Sequence, residues 1–146
     1  MHRPRRGTVQ ATAARVGPGS DRVLEPDTAA CILNSLHQHR LRSVETGART
    51  MAGLNCGISS TVGWPILREG LEAAVAVSDA GTLRAPETLA GLGVHAGASG
   101  AASVAGFDAV LTGPGREHRR AHLGLDEESV VVLLNTEGAG GGGEPS

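Results

Sequence analysis

Ala73-Ala74-Val75-Ala76-Val77, followed by Ser78-Asp79, is the stretch that decides the fold. Five small or β-branched apolar residues follow one another with no polar position between them. That is the pattern of a strand covered on both faces, as in a parallel sheet flanked by helices. Ser78 and Asp79 offer a helix cap directly behind it, so the chain passes here from strand to helix.

Upstream, Trp64, Ile66, Leu67 and Leu71 have helical spacing. Ser59 or Ser60 is positioned to cap that helix, and Pro65 is tolerated in its first turn. Further back, Val23-Leu24 reads as a short strand that stops at Glu25-Pro26. Asp27 or Thr28 is the expected cap of a helix through Ala29, Ala30, Ile32, Leu33 and Leu36, with His37, His39 and Arg40 at its electronegative end.

Downstream, helical spacing extends to Leu92, weakened by Gly81 and Pro86. Val94 opens a short extended piece, and Gly97-Ala98-Ser99-Gly100 turns into a helix reaching Leu111. Gly113-Pro114-Gly115 breaks the chain before a basic segment, Arg116 to His122. Val130 to Leu134, five aliphatic residues of which three are β-branched, reads as the strongest strand. The alternation of strands and helices predicts an α/β fold, a layered, mostly parallel sheet with flanking helices. Residues 1–21 read as a disordered arm and 139–146 as a disordered Gly-rich tail, leaving 22–138 as the domain.

The chain of 146 residues is long enough for one core, and with one Trp, one Phe and no Tyr that core is aliphatic. All 13 basic residues are Arg, so no side chain carries an amine. A net charge of −2 gives no general attraction to nucleic acid or anionic membranes. No run approaches the ~18 apolar residues of a membrane span. Cys31 and Cys56 form neither a C-x-x-C pair nor a disulfide framework, which points to a reduced, cytoplasmic protein.

Ligands of such sheets bind beyond the carboxyl ends of strands. Three stretches compete for that place. Thr50-Met51-Ala52-Gly53-Leu54-Asn55-Cys56-Gly57 is a Gly-interrupted loop. The amides of the Gly97–Gly100 turn suit a phosphate or carboxylate, although the spacing is neither G-x-G-x-x-G nor a Walker motif. Asn135-Thr136 ends the last expected strand and can hydrogen-bond a ring nitrogen or ribose. His118 and His122 lie four apart, but a metal site needs further ligands. Cys56 has no local base to make it a nucleophile.

Six stretches in register resemble the C-terminal half of diaminopropionate ammonia-lyase. They are Val23-Leu24-Glu25-Pro26, Ala29-Ala30-Cys31, Thr50 to Gly57, Ala74 to Asp79, Ser99-Gly100-Ala101-Ala102 and Leu133 to Gly138. The resemblance implies a pyridoxal-phosphate enzyme of the tryptophan synthase β and threonine dehydratase fold type, incomplete here relative to the full fold. It implies α,β-elimination of the amino acid 2,3-diaminopropionate to pyruvate and ammonia, with the cofactor as electron sink. By position, Asn135 or Thr136 takes the bond to the pyridine nitrogen, Asn135 standing where Ser is usual. Met51, Ala52 and Gly53 would lie beside the cofactor ring. In some relatives the glutamate matching Glu25 helps bind a divalent cation, but its expected acidic neighbour is Cys31 here, so no metal site is assigned.

The family's Schiff-base lysine, catalytic aspartate and phosphate loop belong to an N-terminal half that these motifs do not include. The expectation is therefore a truncated chain without catalytic residues, inactive alone and completed by a missing N-terminal half. The alternative is a non-catalytic α/β interaction module that pairs with a full-length homologous chain.

Overall fold

The computed structural model describes residues 10–12, 21–47 and 50–138. Most of the expected arm and the tail 139–146 lie outside the described residues. Three strands form one sheet in the order β1-β3-β2: β1 Gln10–Thr12, β2 Asp21–Pro26 and β3 Leu71–Val77. β2 runs parallel to β3, with Val23 opposite Ala74 and Leu24 opposite Val75. β1 lies antiparallel on the other edge of β3, within the stretch expected to be an unstructured arm. The helices are α1 Cys31–His37, α2 Trp64–Gly70, α3 Asp79–Thr82, α4 Ala85–Gly91, α5 Ala98–Leu111 and α6 Arg116–His122.

β3 is buried along both faces, as its unbroken apolar run requires. Ala73, Val75 and Val77 point into one core with Met51, Ala102, Val110 and Leu123. Ala74 and Ala76 point into the other, with Leu33, Leu36 and Trp64. The period of two along a strand assigns them to opposite sides. Full burial of a Val side chain contributes about 1.5–3 kcal/mol, so Val75 and Val77 anchor the α5 layer. The alanines set how closely the helices approach. Gly106 extends that fit, since a Cβ there would collide with the Leu24 side chain of β2.

Three local expectations are corrected. Neither Asp27 nor Thr28 caps α1. Its free amides are met from the sheet, where the Glu25 carboxylate accepts from Ile32 N (2.9 Å) and Leu33 N (2.9 Å). The helical pattern after Ser78 divides into α3 and α4, because Pro86 is accommodated only in a first turn. Ser78 caps α3 as expected, accepting from Gly81 N. Val130–Leu134 joins no ladder despite its β-propensity, and Val94 starts no strand; there is only an isolated bridge between Ala96 and Gly138. Propensity shapes the backbone of 130–134, but a strand exists only against a partner, and among the described residues it has none.

Glu25 is 6% exposed, and burial pushes its carboxyl above the ordinary range despite the amides of Ile32 and Leu33, which lower it. The folded state therefore holds this proton more tightly than the unfolded chain does. The resulting stabilisation is fully present below the ordinary carboxyl range and is lost as pH rises through the raised value. Glu25→Gln keeps an acceptor but does not titrate. Thermal unfolding across pH should show wild type losing stability on this rise and the variant losing less. Parallel profiles would contradict the assignment.

Candidate functional site

The site is built where three chain segments meet near the carboxyl end of β3. The first is the loop after residue 50. Leu54 N donates to Met51 O (3.0 Å) and Asn55 N to Ala52 O (3.2 Å), which winds Ala52–Leu54 into one 3-10 turn. The loop is tied at both ends, with Asn55 Nδ2 donating to Gly47 O (2.8 Å) and Val44 N donating to Gly57 O (2.8 Å). Thr50 N reaches Asp79 Oδ2 at 3.4 Å, which links the loop to the start of α3.

The second segment is the start of α5, which carries no acidic residue in its own first turn. The third is the corner 135–138, and it supplies what α5 lacks. Glu137 Oε2 accepts from Ser99 N (2.7 Å) and Gly100 N (3.0 Å). A carboxylate on free first-turn amides is favoured by both hydrogen bonding and the helix dipole. Gly97 N also donates to Glu137 O at 3.1 Å. The turn read from the sequence as an anion cradle thus holds a carboxylate, and it is the chain's own. The loop joins the same cluster through Gly53 N, which donates to Ser99 Oγ at 3.1 Å.

The approach is so close that only glycine fits. A Cβ on Gly97 would lie 2.6 Å from Glu137 Cδ. One on Gly100 would run into Asn135 Oδ1 and stand 2.7 Å from Glu137 O.

The expected cofactor residues are therefore brought to one place, in different roles. Met51 is fully buried in the α5-side core, so its side chain anchors the loop rather than facing a ligand. Ala52 and Gly53 are exposed beside Ser99. Asn135 Oδ1 accepts from Glu137 N (3.3 Å) and is committed to shaping the corner. Thr136 is exposed and makes no hydrogen bond among the described residues. It lines a groove of about 700 Å³ with Leu54, Ser99, Phe107 and the run 130–134. Glu137, which ties the corner to α5, had one sequence signal: a helix start without an acid of its own.

The remaining candidates resolve simply. Cys31 is buried beside Glu25, and its thiol is pushed up to about 12, first by burial and then by the Glu25 charge. Glu25 is committed to capping α1. Among the described residues no group of three His, Cys, Asp or Glu side chains is placed to hold a metal ion. His118 and His122 lie with ring centroids 6.5 Å apart on α6. No helix among the described residues is long and apolar enough to cross a membrane.

No protein-family model matches the chain. Diaminopropionate ammonia-lyase of Escherichia coli (strain K12) is 30% identical over 130 residues, a match covering 80% of this chain and 31% of that enzyme. The chain thus spans about a third of the length of the curated relatives it matches. Crystal structures of the E. coli enzyme, with D-serine and with an aminoacrylate-PLP azomethine reaction intermediate, superpose with TM-scores of 0.70 and 0.69. Each is 30% identical and covers 80% of this chain and 30% of that one. A threonine deaminase from T.th. is 29% identical with a TM-score of 0.56, covering 65% of this chain and 32% of its own. Maize serine racemase, 22% identical over 69% of this chain and 31% of its own, shares the fold with a TM-score of 0.58. The resemblance to diaminopropionate ammonia-lyase read from the six stretches holds over four fifths of the chain.

Two measurements test the site as built. Gly100→Ala should lower stability by about 1–3 kcal/mol, as expected when packed backbone must move, whereas Gly91→Ala, with nothing within 4 Å, should be neutral or slightly stabilising. Equal unfolding midpoints for the two variants would contradict the close approach. In a thiol titration of the native protein, exposed Cys56 should react first and buried Cys31 only on unfolding.

Proposed function

We propose that this chain supplies one wall of the active site of a pyridoxal-phosphate-dependent ammonia-lyase acting on 2,3-diaminopropionate, and that it is inactive by itself. The observation that supports this reading most directly is the convergence of three of the ammonia-lyase-like stretches at the start of α5. They are the Ala52–Gly53 loop, Ser99-Gly100 and the Asn135–Glu137 corner.

The residues of this chain do not suffice to hold the cofactor. Covalent attachment needs an amine side chain, and every basic residue is Arg. The helix-start amides that would suit a phosphate are taken by Glu137. Bound in a complete enzyme, pyridoxal phosphate supplies the electron sink for elimination. This chain contributes position. The corner presents Thr136, whose uncommitted hydroxyl can donate or accept a hydrogen bond to the cofactor ring. Asn135 has its acceptor oxygen engaged by Glu137 N, so Thr136 is the better placed of the two. Exposed Ala52 and Gly53 form the adjoining edge, held there by buried Met51. Cys56 is part of that wall, its thiol donating to Ile58 O at 3.0 Å.

The purified chain incubated with pyridoxal phosphate and 2,3-diaminopropionate should form no pyruvate. Borohydride treatment followed by mass spectrometry should find no cofactor attached to a side chain. Catalytic turnover by the chain alone would overturn the proposal.

A further inference from the structure

Val130–Leu134 is an extended run with the properties of a strand and no strand beside it. No backbone hydrogen bond joins it to any described residue. Its side chains alternate, with Val130, Val132 and Leu134 at 91%, 79% and 76% exposure and Leu133 at 38%. The sheet meets the same surface with an open side. In the order β1-β3-β2, the outer edge of β2 is unpaired among the described residues. The run and β2 line one groove of about 700 Å³, with Leu24 on β2, Phe107 and Val110 on α5, and Val131 and Leu133 on the run. An open edge and a bare aliphatic strand around one apolar groove are a template for strand addition.

We propose that this groove is a strand-docking site for the polypeptide that carries the rest of the ammonia-lyase fold. A β-strand of that polypeptide pairs its backbone with Val130–Leu134 and seats apolar side chains against Leu24, Phe107 and Val110. The occupant follows from length: the chain superposes over 80% of its residues on an enzyme of which it represents 30%, so the larger part of that fold remains to cover it. Leu24, Phe107 and Val110 give the groove an apolar wall, so the docked strand is apolar on its inner face. This inference rests on the proposed function for the identity of the partner, and the two fail separately.

The test is hydrogen exchange on the full chain, alone and co-expressed with E. coli diaminopropionate ammonia-lyase lacking the segment similar to this chain. Alone, the amides of residues 131–134 should exchange as in an unstructured peptide while α5 is protected. In the captured complex they should slow by about 100-fold or more. Val132→Asp, at a position already exposed, should weaken capture by about tenfold or more without altering α5 protection. Protection of 131–134 in the isolated monomer would overturn the proposal. So would capture without protection there, or failure to bind a polypeptide that captures the E. coli enzyme's own segment. A homodimer protected at these amides would make the occupant a second copy and overturn it equally. Docking without cofactor binding removes only the catalytic reading; cofactor binding without protection at 131–134 removes only the docking site.

Discussion

The two-sided burial of β3 is the constraint on which the rest of the structure depends. A strand made of Ala and Val can accept helices on both faces without a large side chain to hold them apart. Ala74 and Ala76 bring α1 and Trp64 close on one side. Ala73, Val75 and Val77 meet Met51 and α5 on the other. Because Met51 belongs to that core, the loop it begins is fixed to the sheet rather than left to solvent. The place where loops converge is therefore a consequence of how small the strand's side chains are.

Charge then sets the detail. α1 and α5 both start without a capping side chain of their own, and both borrow a glutamate from elsewhere. Glu25 reaches α1 from the end of β2, and Glu137 reaches α5 from the far end of the described chain. Hydrogen bonds to a charged group contribute about 1.5–3 kcal/mol each, enough to hold an otherwise irregular corner in one arrangement. At α5 this also excludes an external anion from the helix start, which is why the Gly97–Gly100 turn serves as an anchor point and not as a phosphate cradle.

Much of the layering was legible in the residues themselves. The unbroken run 73–77, the apolar face of Leu33 and Leu36, and the Gly97 turn into a long helix each carry a local signal that tertiary packing reinforces. The misreadings share one cause. Asp27 and Thr28 are ordinary caps by type, but the buried Glu25 carboxylate reaches forward along the chain to Ile32 and Leu33 instead, and no local pattern encodes that reach. Val130–Leu134 has strand propensity, yet pairing is a property of two segments. Of the site residues, Asn135, Thr136, Ala52 and Gly53 were found as loop positions beside regular elements. Met51 was placed with them because its neighbours are polar, whereas its own side chain is core. Glu137 was missed as a site residue because its role appears only when the corner folds back on α5.

These threads give one account: a chain that forms a wall, a fixed corner and an open groove, with the amine chemistry located in other polypeptide. The most direct measurement is pyruvate formation from 2,3-diaminopropionate by the chain co-expressed with the lysine-bearing remainder of the E. coli enzyme, in the presence of pyridoxal phosphate. The account predicts turnover by the pair, none by either part alone, and loss of turnover when the remainder's lysine is replaced. Turnover by this chain alone would contradict it, as would an inactive pair under conditions where the same remainder is activated by the E. coli enzyme's own corresponding segment.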